Sequence, residues 1–368
     1  MKKKIFIITG EVSGDLLAEK IIYNLLKHNI EIQGIVGNKL RSKVASGPFD
    51  NNEITFFGIV DVLKNIFFIK KKINQAVDYI EKFKPDLVFS IDSPDFVFQV
   101  IKKIKSNKKI NTKFYHYVAP TIWAWREQRA FKIKRMLNKI YLLFHFEKKY
   151  FDKYQIDNEF VGHPFFENFN ENLSEYNPES KIISFCPGSR ISEINILFPI
   201  FLKIMVILGK SFTYHYAVTK NTENIIKEKL NNYREYNLII NSNDNEKDYH
   251  FKKSIIAVAK SGTISLNICK CQIPFLTIYK FSWLNYLLIK PFVKVKFVNI
   301  VNIIANKMII PEFVQNNCDA NKISSHLKDL ITNRDKLVKM IKDYNLVIKK
   351  FSNKDTNKKI ASDILVNL

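Results

Sequence analysis

The first group of residues that can do chemistry lies near the N-terminus, where two glycines and two carboxylates fall within residues 10–15. The glycines let the backbone approach a ligand closely, at the start of a helical pattern whose free N–H groups attract polar groups. The two carboxylates repel a pyrophosphate, so the segment favours a sugar or another hydroxyl-bearing ligand. A tight turn with a capped helix explains the same residues without any ligand. The candidate residues are Gly10, Glu11, Ser13, Gly14 and Asp15.

A further carboxylate, Asp92, directly follows the short apolar run Leu87 to Ile91. If that run is a strand, Asp92 emerges at its carboxyl end, where a general base for a hydroxyl nucleophile would stand. Asp95 is placed to cap the helical pattern that follows. A helix cap or an ion pair is the alternative role for Asp92.

Aromatic and cationic residues concentrate in the segment 116–126, which begins inside another apolar run. Tryptophan faces bury sugar rings or lipid, and an arginine guanidinium binds phosphate with a planar fork. Packing of both tryptophans in the core is the alternative. The residues of interest are His116, Trp123, Trp125 and Arg126.

Two turns of small residues in the second half of the chain indicate a site for a diphosphate. Each turn follows an apolar run and opens a helical pattern, so backbone N–H groups and the helix dipole favour an anion there. An arginine in the first turn compensates the charge of a departing leaving group. Ordinary helix capping explains either turn by itself. The turns contain Gly188, Ser189 and Arg190, and Ser261, Gly262 and Thr263.

No metal or cofactor is predicted from the sequence. It contains no HExxH, no two pairs of Cys or His, no Walker loop and no GxSxG segment. Its four cysteines lack the pattern of a disulfide scaffold and are expected to be buried thiols. Of the histidines, only His116 and His163 lie in candidate loops, and each also fits a structural role.

The elements that position these residues alternate between apolar runs and helical periodicity, which is typical of a parallel sheet covered on both faces. The chain has 368 residues, enough for two domains at about 150 residues each. A helix is predicted from about Val62 to Phe83, ended by Pro85. The predicted strands of the first half are Lys3–Thr9, Ile32–Val36, Leu87–Ile91, Phe114–Val118 and Ile140–Phe144.

A polar stretch from Asn168 to Ser180 separates this series from a second one, and after about Asp343 the pattern is helical to the end. We predict an α/β protein with two Rossmann-like domains facing a cleft. The first domain comprises residues 1–165 with a returning helix at about 344–368, and the second comprises residues 166–343. The predicted strands of the second domain are Lys181–Phe185, Tyr214–Val218, Leu238–Ile240, Ile255–Ala259 and Phe275–Tyr279.

The net charge of the chain indicates which kinds of partner it can bind. The 58 basic residues exceed the 35 acidic ones and give a net charge of +23, but only 7 of the basic residues are arginine. Sequence-specific nucleic-acid binding relies on bidentate arginine or on an aromatic platform, so we expect no nucleic-acid partner. Anionic lipid or phosphorylated substrates fit better. No uninterrupted apolar run approaches the length of a membrane span, and a cytoplasmic protein is expected.

The order of these motifs along nearly the whole chain resembles the lipid-A-disaccharide synthase family. The resemblance implies an inverting GT-B glycosyltransferase of lipopolysaccharide synthesis that needs no cofactor. It joins UDP-2,3-diacylglucosamine to 2,3-diacylglucosamine 1-phosphate through a β-1,6 link and releases UDP. The matching segments are Gly10–Asp15, Ile91–Phe96, Tyr117–Arg126, Val161–Pro164, Pro187–Arg190, Ser261–Thr263 and Val301–Ile304.

Carried over by position, the resemblance implies that Asp92 is an essential acidic residue and that Arg190 and Asn302 are important in the active site. The turn Ser261–Thr263 then lies near the nucleotide diphosphate. Asn267 stands where the family usually has a glutamate that contacts the ribose, so this contact is expected to be weaker or arranged differently.

Acylated substrates imply contact with a bilayer surface, and two segments mix large apolar groups with lysine. The first has Leu63, Ile66, Phe67, Phe68 and Ile69 beside Lys70, Lys71 and Lys72, and the second runs from Phe281 to Val298. We expect a peripheral enzyme on the cytosolic, anionic face of the inner membrane of a Gram-negative-type bacterium. Core packing of the apolar faces is the alternative.

Two other functions remain open from the sequence. One is a GT-B transferase that uses a different UDP-sugar, and the other is a non-catalytic relative that binds a UDP-sugar or lipid. The sequence leaves the oligomeric state open, with a homo-oligomer as one possibility.

Overall fold

The computed structural model describes residues 2–10, 12–54, 65–125, 129–167, 169, 175–280, 295–353 and 355–368, with the backbone alone at residues 12, 13, 124 and 125. The predicted helix start at Val62, the residues Leu63, Glu11 and Arg126, and most of the segment Phe281–Val298 lie outside these ranges. The chain forms two compact units. One unit comprises Met1–Glu167 with Phe351–Leu368, and the other comprises Asn168–Lys350.

The first unit is built on a seven-stranded sheet with the strand order β3-β2-β1-β4-β5-β6-β7, and every neighbouring pair is parallel. The central strands are continuous apolar runs because helices cover both faces of such a sheet. All five residues of β4 are buried. The strands are β1 Lys3–Thr9, β2 Ile30–Ile35, β3 Ala45–Ser46, β4 Leu87–Ile91, β5 Lys113–Tyr117, β6 Lys139–Leu142 and β7 Asn158–Phe160.

Prolines mark a bound of two helices in the first unit. The second helix stops at Lys84, which adopts a left-handed conformation immediately before Pro85, and the third begins with Pro94 in its first turn. In chain order the helices are α1 Val12–Leu25, α2 Ile66–Phe83, α3 Pro94–Asn107, α4 Ile122–Trp125, α5 Arg129–Met136 and α6 Lys148–Asp152.

The second unit repeats this architecture with a six-stranded parallel sheet in the order β10-β9-β8-β11-β12-β13. Its strands are β8 Ile182–Cys186, β9 Thr213–Ala217, β10 Asn237–Asn241, β11 Ser254–Lys260, β12 Phe275–Tyr279 and β13 Glu312–Val314. Its helices are α7 Ile191–Leu208, α8 Lys220–Leu230, α9 Asp244–Lys252, α10 Ile264–Lys270, α11 Ile300–Ala305, α12 Ala320–Thr332 and α13 Arg334–Ile348.

One described helix, α7, is long and apolar enough to cross a membrane by length and composition alone. It forms the crossover between the parallel neighbours β8 and β9, and it packs against α12. Phe198 and Phe201 lie on its buried face. Glu193 and Lys203 interrupt its apolar sequence.

The C-terminal segment returns to the first unit later than predicted. Residues 344–350 stay with the second unit, where the Tyr344 hydroxyl donates to the Ile273 carbonyl at 3.1 Å. The returning segment begins at Phe351 and ends in the helix α14 Thr356–Asn367, which packs against α1. Asp363 on α14 pairs with Lys139 of β6 at 2.8 Å.

Candidate functional site

Each sheet has a point where its strand order reverses direction, between β1 and β4 in the first unit and between β8 and β11 in the second. In open parallel sheets, ligands bind at this switch point, outside the carboxyl ends of the strands. The candidate loops after β1 and β4, and those after β8 and β11, therefore flank the two switch points.

The loops after β1 and β4 touch each other at Gly10. A Cβ atom on Gly10 would lie 1.8 Å from the Ser93 Oγ and 2.0 Å from the Ser93 Cβ. At Gly14 an added Cβ would lie 3.2 Å from the Ile91 carbonyl oxygen. The glycines therefore allow the segment that carries Asp92 to lie directly against the start of α1.

Asp15, predicted to bind substrate, is 2% exposed and fastens the β1–α1 loop to its neighbours. Its Oδ1 accepts hydrogen bonds from the Thr9 hydroxyl at 2.6 Å, the Gly37 backbone N–H at 3.1 Å and the Asn51 side-chain amide at 3.1 Å. These three donors hold the Asp15 carboxylate in place and join the β1–α1 loop to residues 37 and 51.

Asp92 stands at the carboxyl end of β4 in a strained backbone conformation. Its φ angle is 61° and that of Ser93 is 46°, so two consecutive residues that are not glycine adopt the left-handed region. The Asp92 N–H donates to the Tyr117 carbonyl at 3.0 Å, and the Ser93 N–H donates to Asp92 Oδ1 at 2.8 Å. Val118, at the end of the adjacent strand β5, has φ 75°. Such conformations cluster at functional sites.

Trp123 lies in the short helix α4, which starts just after β5. Its indole N–H donates to Glu147 Oε1 at 3.2 Å, and its ring packs edge-on against Phe146 at 5.1 Å between centroids. Glu147 is 3% exposed, and burial raises its pKa to about 7. Sequence reasoning missed this residue, although a glutamate within a run of aromatic residues is an unusual signal. For Trp125 only the backbone is described.

The two histidines of the candidate loops are buried structural residues. Burial lowers the pKa of both His116 and His163 to about 3, so both rings are neutral at neutral pH. The His116 Nδ1 lies 2.8 Å from the Ser90 hydroxyl, and the His163 Nδ1 accepts the Phe165 N–H at 3.2 Å. Neither ring is suited to proton transfer near pH 7.

The switch point of the second unit carries a cluster of charged groups around Glu193, on the first turn of α7. Its carboxylate accepts the Ser189 N–H at 3.2 Å and pairs with Arg190 at 3.5 Å and Lys260 at 2.9 Å. Gly188 has φ 118°, and a Cβ there would lie 2.6 Å from Glu193 Oε2. Sequence reasoning missed both Glu193 and Lys260.

The turn after β11 is tied to a distant segment of the same unit. The Ser261 hydroxyl donates to the Val298 carbonyl at 2.7 Å, and Gly262 has φ 156°. Thr263 is the residue before α10. On that helix the Asn267 side-chain amide donates to Asp248 Oδ1 at 2.8 Å.

Asn302, predicted as an active-site residue, is fully buried and its amide is saturated with protein partners. Its Nδ2 donates to the Ile310 carbonyl at 2.7 Å and to Glu312 Oε1 at 2.8 Å. Its Oδ1 accepts the N–H groups of Ile309 and Ile310 at 2.8 and 2.9 Å. The amide has no remaining hydrogen-bonding capacity for a substrate. The structure therefore makes Asn302 a positioning residue.

Through Glu312, Asn302 holds the segment that precedes α11. Glu312, which Asn302 holds, accepts the N–H groups of Val298 and Asn299, each at 2.9 Å. Val298 in turn accepts the Ser261 hydroxyl. Asn302 thus acts on the switch point through Glu312, Val298 and Ser261.

The predicted lipid-facing patch at the start of α2 is exposed in part. Ile66, Phe67 and Phe68 are exposed, Phe67 to 82%. Lys70 also lines a groove of about 380 Å³ between α2 and α3, together with Lys102 and Lys103.

Lys72 departs from the prediction for this patch. It is buried, pairs with Glu53 and lies over the Phe49 ring at 4.5 Å. Because its ammonium group is already paired inside the unit, Lys72 does not contribute to a lipid-facing surface.

Within the described ranges, no group of three or more His, Cys, Asp or Glu is arranged to hold a metal ion. The four cysteines are free and buried, and burial raises the pKa of each thiol.

Solved structures with the same architecture define the class of protein. The UDP-GlcNAc 2-epimerase of Neisseria meningitidis, bound to UDP-GlcNAc, matches with a TM-score of 0.67 at 15% identity, covering 99% of this chain and 100% of that one. The Acinetobacter baumannii MurG matches with a TM-score of 0.60 at 11% identity over 100% of both chains. The fold is that of the GT-B proteins.

Sequence comparison identifies the family. The family model of lipid-A-disaccharide synthetase matches residues 5–364, and the chain belongs to this family. The lipid-A-disaccharide synthase of Rickettsia bellii is 35% identical, covering 94% of this chain and 93% of its own. That of Wigglesworthia glossinidia brevipalpis is 30% identical, covering 98% and 97%. The predicted family, the GT-B fold and the assignment as a glycosyltransferase are confirmed.

Proposed function

We propose that the protein transfers 2,3-diacylglucosamine from UDP to the 6-hydroxyl of 2,3-diacylglucosamine 1-phosphate. The new bond joins the acceptor oxygen to the anomeric carbon, and the bond between that carbon and the UDP oxygen breaks. Attack from the opposite side inverts the configuration and gives a β-1,6 link. Membership of the family supports this reaction class, and the chemistry at the two switch points supports the roles of individual residues.

The first unit is proposed to bind the acceptor. Asp92 acts as the general base that takes the proton of the 6-hydroxyl as the new bond forms, a role typical of a carboxylate at a strand end. The observation that carries this assignment is the strained backbone at Asp92 and Ser93, which fixes the carboxylate at the switch point. Trp123, anchored by Glu147, offers an aromatic face to the sugar or its acyl chains.

The second unit is proposed to bind the UDP-sugar. Backbone N–H groups of the turns that contain Gly188, Ser189 and Ser261–Thr263 contact the diphosphate, and Arg190 stabilises the charge that develops on the departing UDP. Asn302 supports this site at a distance by holding the segment that binds Ser261. Asn267 contributes to the ribose region together with its partner Asp248.

The exposed residues at the start of α2 are proposed as a membrane contact. Ile66, Phe67 and Phe68 insert between lipids, while Lys70 and Lys71 face anionic headgroups. This surface would place the enzyme on the cytosolic face of the inner membrane, where both acylated substrates reside.

The direct test is incubation of the purified protein with UDP-2,3-diacylglucosamine and 2,3-diacylglucosamine 1-phosphate in mixed micelles, followed by mass spectrometry. The expected products are the disaccharide 1-phosphate and UDP in equal amounts. Proton NMR of the product should show a β-configured 1,6 link. UDP binding without any disaccharide would instead support the non-catalytic alternative, and product formation only with another UDP-sugar would support the different transferase.

A further inference from the structure

The carboxylate of Glu193 gathers donors from both sides of the second switch point. Ser189 and Arg190 come from the loop after β8, and Lys260 is the last residue of β11. The Lys260 ammonium also lies over the Tyr279 ring of β12 at 5.4 Å. The Glu193 and Lys260 side chains are 16% and 18% exposed, whereas the Arg190 side chain is 44% exposed and stays open to solvent.

This arrangement of donors is one that an anion of the size of a phosphate would require. A backbone N–H, a guanidinium and an ammonium converge on two oxygens at the N-terminus of an 18-residue helix. A first-turn glutamate that served only the helix dipole would need neither Arg190 nor Lys260. Lys260 is, moreover, a cation adjacent to the turn Ser261–Thr263, which is proposed above to contact the diphosphate.

We propose that Glu193 is an internal anion that occupies part of the diphosphate site until the UDP-sugar displaces it, and that Lys260 is a further diphosphate-binding residue. This inference rests on the proposed function, because it assumes that the nucleoside diphosphate binds at the second switch point. Before binding, Glu193 keeps Arg190 and Lys260 in place. On binding, both cations transfer from the carboxylate to the diphosphate.

If Glu193 competes with the diphosphate, Glu193→Gln should strengthen UDP binding. If Glu193 only positions the two cations, the same change should weaken it. Glutamine keeps an oxygen that accepts hydrogen bonds but removes the negative charge, so Arg190 and Lys260 become more available to the diphosphate. The dissociation constant of UDP is therefore expected to fall about tenfold. If Glu193 only positioned the two cations, loss of its charge would loosen them and raise the dissociation constant.

Lys260→Met removes the ammonium group and keeps the length of the side chain. It is expected to raise the dissociation constant of UDP about tenfold, with a smaller dependence of binding on salt concentration. In the double variant, the gain from Glu193→Gln should shrink, because one of the two released cations is missing.

The experiment is calorimetric titration of the full-length protein with UDP at low and high salt. Glu223→Gln is the matched control, because Glu223 lies in the first turn of the neighbouring helix α8 and pairs with Lys227 and Ser242. It should change the UDP dissociation constant less than twofold.

The outcomes separate the two levels of the proposal. If the unmodified protein binds no UDP, the proposed function fails. If it binds UDP but Glu193→Gln leaves the dissociation constant unchanged or raises it, the proposed function stands and the internal-anion inference is overturned. An unchanged constant for Lys260→Met overturns the role of Lys260.

Discussion

The strand orders of the two units are equivalent except for β7 at the edge of the first sheet. Their switch points, however, differ in charge and in backbone conformation. In the first unit, Asp92 stands in a left-handed conformation that is costly for a residue other than glycine. In the second, glycines at 188 and 262 adopt positive φ angles, and Arg190 and Lys260 supply positive charge. Topology fixes where a ligand binds, whereas the loops decide which chemistry is done there.

The interiors of the two units, in contrast, use the same device. Ser90 on β4 pairs with His116 on the neighbouring β5, and Ser184 on β8 pairs with His215 on the neighbouring β9. Burial lowers the pKa of both histidines to about 3. The units thus share a buried Ser–His pair between neighbouring strands and differ in the loops at their switch points.

The largest effect is expected from Asp92→Asn, which should remove the general base of the first unit. We expect kcat to fall about a thousandfold while UDP binding stays within twofold, because the diphosphate is proposed to bind in the other unit. Turnover and calorimetry measure the two quantities, and circular dichroism checks folding. Asp78→Asn, an exposed change on α2, is the control. Near-normal turnover of Asp92→Asn would remove Asp92 from the mechanism.

Arg190→Met is expected to have a smaller effect on turnover than Asp92→Asn and, unlike it, to weaken UDP binding. The kcat/KM for the UDP-sugar should fall about a hundredfold, and UDP binding should weaken, since the guanidinium is proposed to stabilise the leaving group. Steady-state kinetics with the donor varied provide the measurement. Arg234→Met, on the surface of the same unit beside Asn231, should have little effect. A loss confined to the acceptor KM would contradict the division of labour between the units.

The two buried histidines that bond to serine, His116 and His215, test whether both units lose stability at low pH. Each has a folded-state pKa near 3 and an unfolded value near 6.5, so it favours the folded state fully above pH 6.5 and less as the pH falls. Between pH 7 and pH 5 each should cost about 2 kcal/mol of unfolding free energy. His116→Gln should reduce this pH dependence in the first unit, where the buried His163 keeps its own contribution. His215→Gln should reduce it in the second unit, where His250 and His326 also have lowered pKa values.

Hydrogen exchange during urea unfolding, read from peptides of each unit, distinguishes the two. A variant whose own unit keeps the full pH dependence would show that the buried ring is not its source.

The smallest effect concerns the membrane. Lys70→Glu with Lys71→Glu should weaken binding to vesicles that contain anionic lipid about thirtyfold, since each of the two lysines near such a surface contributes about 1 kcal/mol. Co-sedimentation measures it. Lys227→Glu with Lys229→Glu, exposed on α8 of the second unit, makes the same charge change away from the patch. Equal losses in both variants would mean that net charge, and not the start of α2, governs binding.

Much of the fold was predictable because its central strands are continuous apolar runs between clear breaks. The bounds of β1, β4 and β12 match their predictions. The edge strands β3, β7 and β13 were missed because they are two or three residues long and lack a buried apolar pattern.

Only those site residues that stand next to a recognisable turn could be predicted from the sequence. Asp92 and Arg190 stand beside turn residues, so their positions at strand ends could be read from the sequence. Glu193 and Lys260 come together because β8 and β11 are neighbours, a pairing that sequence order does not reveal. Asp15 and Asn302 were expected to face ligand, but a residue type does not indicate which way a polar side chain points.

The return of the chain at Phe351 has a consequence for synthesis. The first unit is made first but lacks α14 until Thr356–Asn367 leave the ribosome, whereas the second unit is complete once Lys350 has emerged. Until α14 has emerged, the first unit is incomplete, and the face of α1 that packs on α14 stays uncovered. The half of the enzyme translated earliest is the half that finishes folding last, and loss of a few C-terminal residues would damage the N-terminal half.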